Sequence, residues 1–516
     1  MKLFNAMATI AGFTMLSRIA GMVRDMLTAS ILGAGPMADA FFIALKLPNF
    51  FRRIAAEGAF SVSFVPLYSK TLEQDGEEEA AKFSGQVCSL LMIVLSLFTC
   101  IMLLIMPWVI HVIAPGFVEG TERYQLAVTM TRFSFPYLMF MSLTALCGGM
   151  LNAHHRFAPF AAAPILFNLT LIASILLFVP FFPSAGHAMA VGVSVSGVLQ
   201  LAMMVYFLRR NRVSFSWQYP QMTDKIKRLF KLMLPGALSA GIFQVNLFVD
   251  MMVASLLPAG AISYLYYADR LNQLPLSIAG IAVGTALLPM LSKAIAAKDH
   301  IDANDLFNRA IEFCFFVALP SAVALLIVPY PMVATLFEHG KFSASDAQTT
   351  SYVLMGAGLG LPAYIASKVF LTAFWAHEDT VTPVKITIIT ALTNVFLCLL
   401  LIGWLGVAGI SLATGIVGWL QVYLLHHKLK HIETLTFDAR LQANFPKMAI
   451  CSCVMGIVLF ILSYVLQPFF HGALVVKITA LVALLGVASL TYVLAIHVSG
   501  VLKFNQITLY LKRSKD

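Results

Sequence analysis

An all-helical protein that crosses a membrane many times is the fold this sequence predicts, on three observations. Of its 516 residues 60% are hydrophobic and 11% charged, against about 25% charged in an average soluble protein. Its mean hydropathy of +0.86 comes from long apolar runs, and one of them, CSLLMIVLSLFTCIMLLIMPWVI (88–110), exceeds anything a soluble core needs. Its basic residues fall between such runs, mostly in every second loop.

At about 20 apolar residues per crossing, the chain divides into fourteen helices. The first, 3–32, is not a cleavable leader: MKLFNAMATIAGFTMLSR has no small-residue cleavage site, and its apolar stretch continues into a full span. The second, 36–56, is broken by Pro48 in LKLPNFF, and a shorter helix follows near 58–72. The third, 80–112, holds the longest apolar run. The fourth is 124–151, and Pro159 follows it at the start of the fifth, 157–181. The sixth is 186–209. Pro235 and Gly236 in LMLPGAL mark the entrance to the seventh, 229–257, and the eighth, 260–291, carries Asp269 and Arg270. The ninth and tenth are 307–337 and 344–375, and Pro383 opens the eleventh, 383–404. The last three are 406–427, 445–467 and 472–500.

The loops orient these helices. One side receives Lys2, Lys70, Lys82, His154, His155, Arg156, Arg209, Arg210, Arg212, Lys225, Lys227, Arg228, Lys293, Lys298, Arg309, Lys385, Lys428, Lys430, Arg440 and the tail Lys512, Arg513 and Lys515. The other receives little beyond Arg123, Lys341 and Lys477. The first side is therefore cytoplasmic and holds both termini, as an even number of crossings requires. Most of the net charge of +10 is topology and does not call for nucleic acid. No loop has room for an ATPase module, and no GxxxxGK[ST] loop occurs. The seven cysteines all lie in apolar spans, with no CxxC or zinc spacing. Nothing in the chain points to a catalytic enzyme.

The chain repeats itself at an offset of about 224. FVPLYSK (64–70) returns as LLPMLSK (287–293), ASILGAG (29–35) as ASLLPAG (254–260), and PWVIHVIAPG (107–116) more weakly as PMVATLFEHG (331–340). Six helices separate the copies, so both begin on the same side: a parallel repeat about an axis along the membrane normal. The expected domains are an N-terminal bundle, 1–221, a C-terminal bundle, 222–432, and the last two helices, 433–516. Paired bundles of this kind work by alternating access.

A charge at a helix centre costs about 2.5–3.5 kcal/mol on insertion scales, so it should face a wet interior. The candidates are Arg18, Arg24 and Asp25 in the first helix and Asp39, Lys46, Arg52 and Arg53 in the second. Asp250, Asp269, Arg270 and Lys368 follow in the second half. Asp39, Lys46 and Arg53 are spaced seven apart on one helix face, whereas Arg24 and Asp25 point to neighbouring faces. The surplus is cationic and mostly arginine, which suits forked binding of phosphate. The expected substrate-binding set is Arg18, Arg24, Asp39, Lys46, Arg52, Asp269, Arg270 and Lys368. The plainer reading pairs Arg24 with Asp39 and Asp269 with a nearby arginine, as helix-to-helix ties only. Arg53 and Glu57 are the expected cytoplasmic gate. Asp250, Thr390 and Asn394 are the expected Na⁺ site, Thr390 and Asn394 being one helical turn apart; hydrogen bonding between helices is the competing role for such residues.

SRIAGMVRD (17–25), ADAFFIALKLPNFFRRIAAEGAFSVSFVPLYS (38–69), YYADRLNQLP (266–275) and GTALLPMLSK (284–293) closely resemble the MurJ/MviN family, the lipid II flippase branch of the multidrug/oligosaccharidyl-lipid/polysaccharide exporter superfamily. The resemblance covers essentially the whole chain. It implies flipping of undecaprenyl-diphosphate-linked disaccharide-pentapeptide between the leaflets of the bacterial inner membrane, for peptidoglycan synthesis. It implies that Arg18, Arg24, Asp39, Arg52 and Arg270 are cavity residues and that the last two helices form a groove for the polyprenyl tail. Asp250 and Asn394 align loosely with the sodium site of some members. No cofactor is implied beyond a Na⁺ or H⁺ gradient, or the membrane potential, that resets the carrier. The partners expected are lipid II, phospholipid and cell-wall synthesis proteins, with the chain acting as a monomer. The alternatives are a flippase for another polyprenyl-diphosphate oligosaccharide, a cation-coupled drug exporter, whose cavity would need the opposite sign, and a non-transporting scaffold.

Overall fold

The computed structural model describes residues 2–54, 60–283, 287–430 and 435–501. Among them the regular structure is helical, without a strand. Two compact units divide the chain: residues 1–263 with 339–342, and residues 264–338 with 343–516.

The first unit holds α1 (Lys2–Leu32), α2 (Pro36–Arg52), α3 (Ser61–Gln74), α4 (Gly76–Leu104), α5 (Met106–Ile113), α6 (Glu122–Ser134), α7 (Tyr137–Ala153), α8 (Ala158–Ala173), α9 (Ala185–Arg210) and α10 (Asp224–Ser255). Thr121 caps α6 and Ser184 caps α9, each hydroxyl accepting a free first-turn amide. A stack of Phe60, Phe64 and Tyr68 against Phe83 packs α3 on α4. Pro48 sits inside α2 and is buried. Proline has no amide to give the carbonyl four residues back, and that carbonyl, of Ala44, instead accepts the buried Ser134 hydroxyl of α6 at 2.6 Å. The kink is thus satisfied from a neighbouring helix, as lipid requires.

The second unit holds most of α11 (Ala261–Ala282), then α12 (Leu288–Ala296), α13 (His300–Ile327), α14 (Pro329–Phe337), α15 (Ala344–Ala376), α16 (Val381–Leu405), α17 (Val407–Leu429), α18 (Ala439–Leu466) and α19 (Leu474–Val498). Helix α15 lies along α17, tied by Ser411 Oγ to the Val353 carbonyl at 2.8 Å and Trp419 Nε1 to the Leu359 carbonyl at 2.9 Å. The outer pair, α18 and α19, is fastened to the rest of the unit by charges. Arg309 of α13 bridges to Glu312 and Asp438, and Lys477 of α19 reaches Glu338 at 3.2 Å.

Among the described residues, ten helical stretches are long and apolar enough to cross a membrane, so the chain is a multi-pass membrane protein. Four further helices are α1, α2, α10 and α11. They are the helices that carry Arg18, Arg24, Asp25, Asp39, Lys46, Arg52, Asp250, Asp269 and Arg270.

Candidate functional site

Helix α1 presents Arg24 and Asp25, both buried. The sequence places them on neighbouring faces, but the structure pairs them. Arginine is long enough to fold back over one peptide, and Arg24 Nη2 and Nε meet Asp25 Oδ1 at 2.7 and 3.1 Å. Arg24 Nη1 donates to Asn168 Oδ1 of α8 at 2.9 Å, and the guanidinium lies 5.5 Å from the Phe167 ring. Asn168 Nδ2 in turn holds the Ser17 carbonyl at 2.9 Å. One buried amide therefore fixes both the guanidinium and the helix that carries it.

Asp39 is not the partner of Arg24. It is completely buried near the start of α2, and protein donors occupy both oxygens. Oδ2 accepts Arg123 Nη2 at 2.6 Å and the Gly260 amide at 2.7 Å. Oδ1 accepts the Ser263 amide at 2.8 Å and the Ser263 hydroxyl at 2.6 Å. Arg123, read from sequence as a loop charge, is the counter-ion; it also donates to the Leu257 carbonyl at 3.0 Å and stacks 4.0 Å from the Phe117 ring.

Two further contacts surround this network. Gly116 donates its amide to Ser255 Oγ at 3.0 Å, and a Cβ on it would stand 2.1 Å from the Ser255 carbonyl. Lys341 donates its amide to the Ser30 carbonyl at 2.7 Å, and a Cβ on Gly340, at φ +60°, would stand 2.3 Å from that oxygen. Only glycine lets either chain approach so closely.

The other expected residues are placed as follows. Arg18 is half-buried and has no ion pair among the described residues. Lys46 is half-buried on α2. Arg52 Nε donates to Asn49 Oδ1 at 3.0 Å, and exposed Arg53 reaches Gln244 Oε1 at 3.5 Å. Its expected gate partner, Glu57, lies outside the described residues. On α11, Arg270 donates to the Tyr266 hydroxyl at 2.5 Å and lies over that ring, while exposed Asp269 accepts from Gln273 Nε2 at 2.5 Å and not from an arginine. Lys368 is half-buried on α15 with its ammonium over Gly280.

The expected cation ligands are divided. Asp250 belongs to the first unit, Thr390 and Asn394 to the second. Both of the latter are buried on α16; Thr390 Oγ1 donates to the Thr387 carbonyl, and Asn394 Oδ1 accepts the Thr414 hydroxyl at 3.3 Å.

Sequence reasoning missed Arg123, Asn168 and Ser263. The signal for Ser263 was present: it stands 224 residues after Asp39, one repeat on. Nothing in the sequence marked Asn168.

A family profile described as lipid II flippase MurJ matches residues 28–480. A probable lipid II flippase MurJ of Rhizobium tropici is 38% identical, covering 100% of this chain and 98% of the relative. The lipid II flippase MurJ of Burkholderia cenocepacia is 36% identical over 82% of this chain and 83% of the relative. Among solved structures, a lipid II flippase MurJ in an inward closed conformation aligns with a TM-score of 0.78 at 27% identity, over 95% of this chain and 98% of that one. An inward-facing multidrug resistance MATE transporter of the MOP superfamily shares the fold, with a TM-score of 0.68 at 16% identity over 83% of this chain and 98% of that one.

Proposed function

This chain belongs to the lipid II flippase MurJ family, of transporters and not of catalytic enzymes, and on that premise we propose that it carries lipid II from the cytoplasmic to the periplasmic leaflet by alternating access. The observation that carries the reading is the gathering of buried and half-buried charge on a few helices. Of the expected substrate-binding charges, all but Lys368 on α15 lie on α1, α2 and α11. Such helices are tolerated at bilayer depth when they line a polar interior. Counting α1, α2, α10 and α11 with the ten apolar stretches gives fourteen crossings, with both termini cytoplasmic.

In this reading Arg18, Arg24, Lys46, Arg52, Arg270 and Lys368 form a cationic cavity that grips the diphosphate by forked, charge-assisted hydrogen bonds. Asn168 holds Arg24 at one angle toward it. The polyprenyl tail stays in the bilayer along α18 and α19. Contacts one repeat apart support a parallel pseudo-twofold: Asp39 meets Ser263, 224 residues on. Gly116 on Ser255 is mirrored by Gly340 on Ser30. The Asp39 network with these two close approaches is the latch that shuts the periplasmic end; substrate contact by Asp39 waits for its opening. Outward movement of a negative head group follows an inside-negative potential at about 2.3 kcal/mol per charge per 100 mV. The potential, or a Na⁺ or H⁺ gradient, resets the carrier.

The test is lipid II accessibility at the outer leaflet in cells depleted of the protein and complemented. Depletion should trap lipid II inside, and Arg18→Ala, Arg24→Ala and Arg270→Ala should each fail to release it. Full complementation by all three at normal protein levels would rule out the cavity. Loss of a surface glycan with lipid II unaffected would reassign the substrate.

A further inference from the structure

The connection between α9 and α10, residues 211–223, has no part in the transport cycle above, yet it is firmly built. It carries no helix. Ser216 and Gln218 turn onto α4: Ser89 Oγ donates to the Gln218 carbonyl at 2.5 Å, and a Cβ on Gly85 would stand 1.7 Å from the Ser216 carbonyl. Further along, Thr223 Oγ1 bonds Gln86 at 3.4 Å, and Lys225 reaches Asp75 at 2.7 Å. Val213, Ile226 and Leu229 are buried and pin both ends.

Held at Ser216 and Gln218, the segment turns the alternate side chains to the outside. Here those are Phe215, Trp217 and Tyr219, exposed to 43%, 60% and 83%. Cations flank the comb: Arg209, Arg210 and Arg212 before it, Lys227, Arg228 and Lys231 after it, all exposed. The strap joins the ends of two long helices, on the side where the basic loops gather, so it stands at headgroup depth on the cytoplasmic face. Tryptophan and tyrosine, apolar in body and polar at the tip, concentrate at that depth. Basic residues there attract the anionic lipids of the same leaflet. A protein partner fits less well, because protein interface cores are depleted in lysine and other charges.

We propose that residues 211–223, with the flanking Arg209, Arg210, Lys227, Arg228 and Lys231, form an interfacial anchor that binds anionic phospholipid headgroups of the cytoplasmic leaflet. The anchor holds the ends of α9 and α10 at a fixed depth against which the other helices move.

The experiment uses the full chain in nanodiscs, with Trp217 as the sole tryptophan and Phe at Trp108, Trp375, Trp404 and Trp419. If that variant does not purify, the difference between the parent chain and Trp217→Phe reports the same residue. A minor fraction of the lipid carries bromine near the top of its acyl chains, in either phosphatidylglycerol or phosphatidylcholine. Trp217 should be quenched about twice as strongly by the brominated phosphatidylglycerol, since one basic residue at a membrane surface enriches anionic lipid up to about fivefold. High salt, or Arg209→Gln, Arg210→Gln and Arg212→Gln together, should abolish the difference. Equal quenching by both lipids would overturn the headgroup assignment. A water-like emission without quenching would overturn the anchor itself and leave the comb as a surface for another protein.

Discussion

Replacing Arg123 by glutamine is the sharpest test of the latch. The perturbation leaves the Asp39 carboxylate, completely buried, without the guanidinium 2.6 Å away. Three neutral donors remain, from Gly260 and Ser263. Removing one partner of a buried ion pair costs about 3–5 kcal/mol, because the other charge stays behind. The Arg123 side chain is itself only 12% exposed, so screening by water recovers little of this. If the network exists only while the periplasmic end is shut, the closed state loses that energy relative to the open one, a shift on the order of a hundredfold or more in their ratio. The assay is a double-mutant cycle on thermal unfolding in detergent, read beside lipid II flipping. Arg123→Gln and Asp39→Asn should each destabilise by about 3 kcal/mol, and the double variant should fall short of their sum by about 2 kcal/mol. Flipping should drop in both single variants. Additive effects, or single losses under about 1 kcal/mol, would refute the claim that the pair acts as one buried unit.

Ser134→Ala should destabilise by about 1–3 kcal/mol, the cost of leaving the Ala44 carbonyl that Pro48 cannot serve without its donor; an unchanged melting temperature would argue against that account of the kink. Gly116→Ala and Gly340→Ala each drive a methyl against a carbonyl of the facing repeat, so both should favour the state open at the periplasmic end, seen as faster labelling of a cysteine placed beside Ser263. Asn168→Leu should lower flipping about tenfold at normal protein levels, as loss of a hydrogen bond to a charged group predicts, and Asn168→Asp, which still accepts from Arg24, should restore most of it. Outside the spans, burial alone would raise the Asp379 carboxyl, but the Thr382 side chain and amide, the Val381 amide and Lys385 hold it below the ordinary range. A depressed carboxyl gives its stability above the unfolded value of about 3.9 and loses it as pH falls through the folded one, so Asp379→Asn should flatten the acid limb of stability below about pH 4.

Hydropathy and spacing placed several helices closely: expected segments such as 344–375 and 472–500 became Ala344–Ala376 and Leu474–Val498, whereas 80–112, 124–151 and 307–337 each divide into two helices, beside Pro107, Pro136 and Pro329. They could do so because a chain in lipid must satisfy its backbone internally, which leaves little besides helices to choose from. The same sequence identified which helices carry the charges, since burying a charge in lipid is costly wherever it occurs. Partnership was another matter. Arg24 turned to Asp25 and Asn168, and Asp39 took Arg123 from a segment read as a loop. Apart from Arg24 with its neighbour Asp25, these pairings join residues 84 to 224 positions apart; helical periodicity reports which way a side chain points on its own helix, and nothing about what another helix brings to meet it. The same holds for the strap at 211–223, whose aromatic comb depends on the seat that Gly85 makes for it on α4.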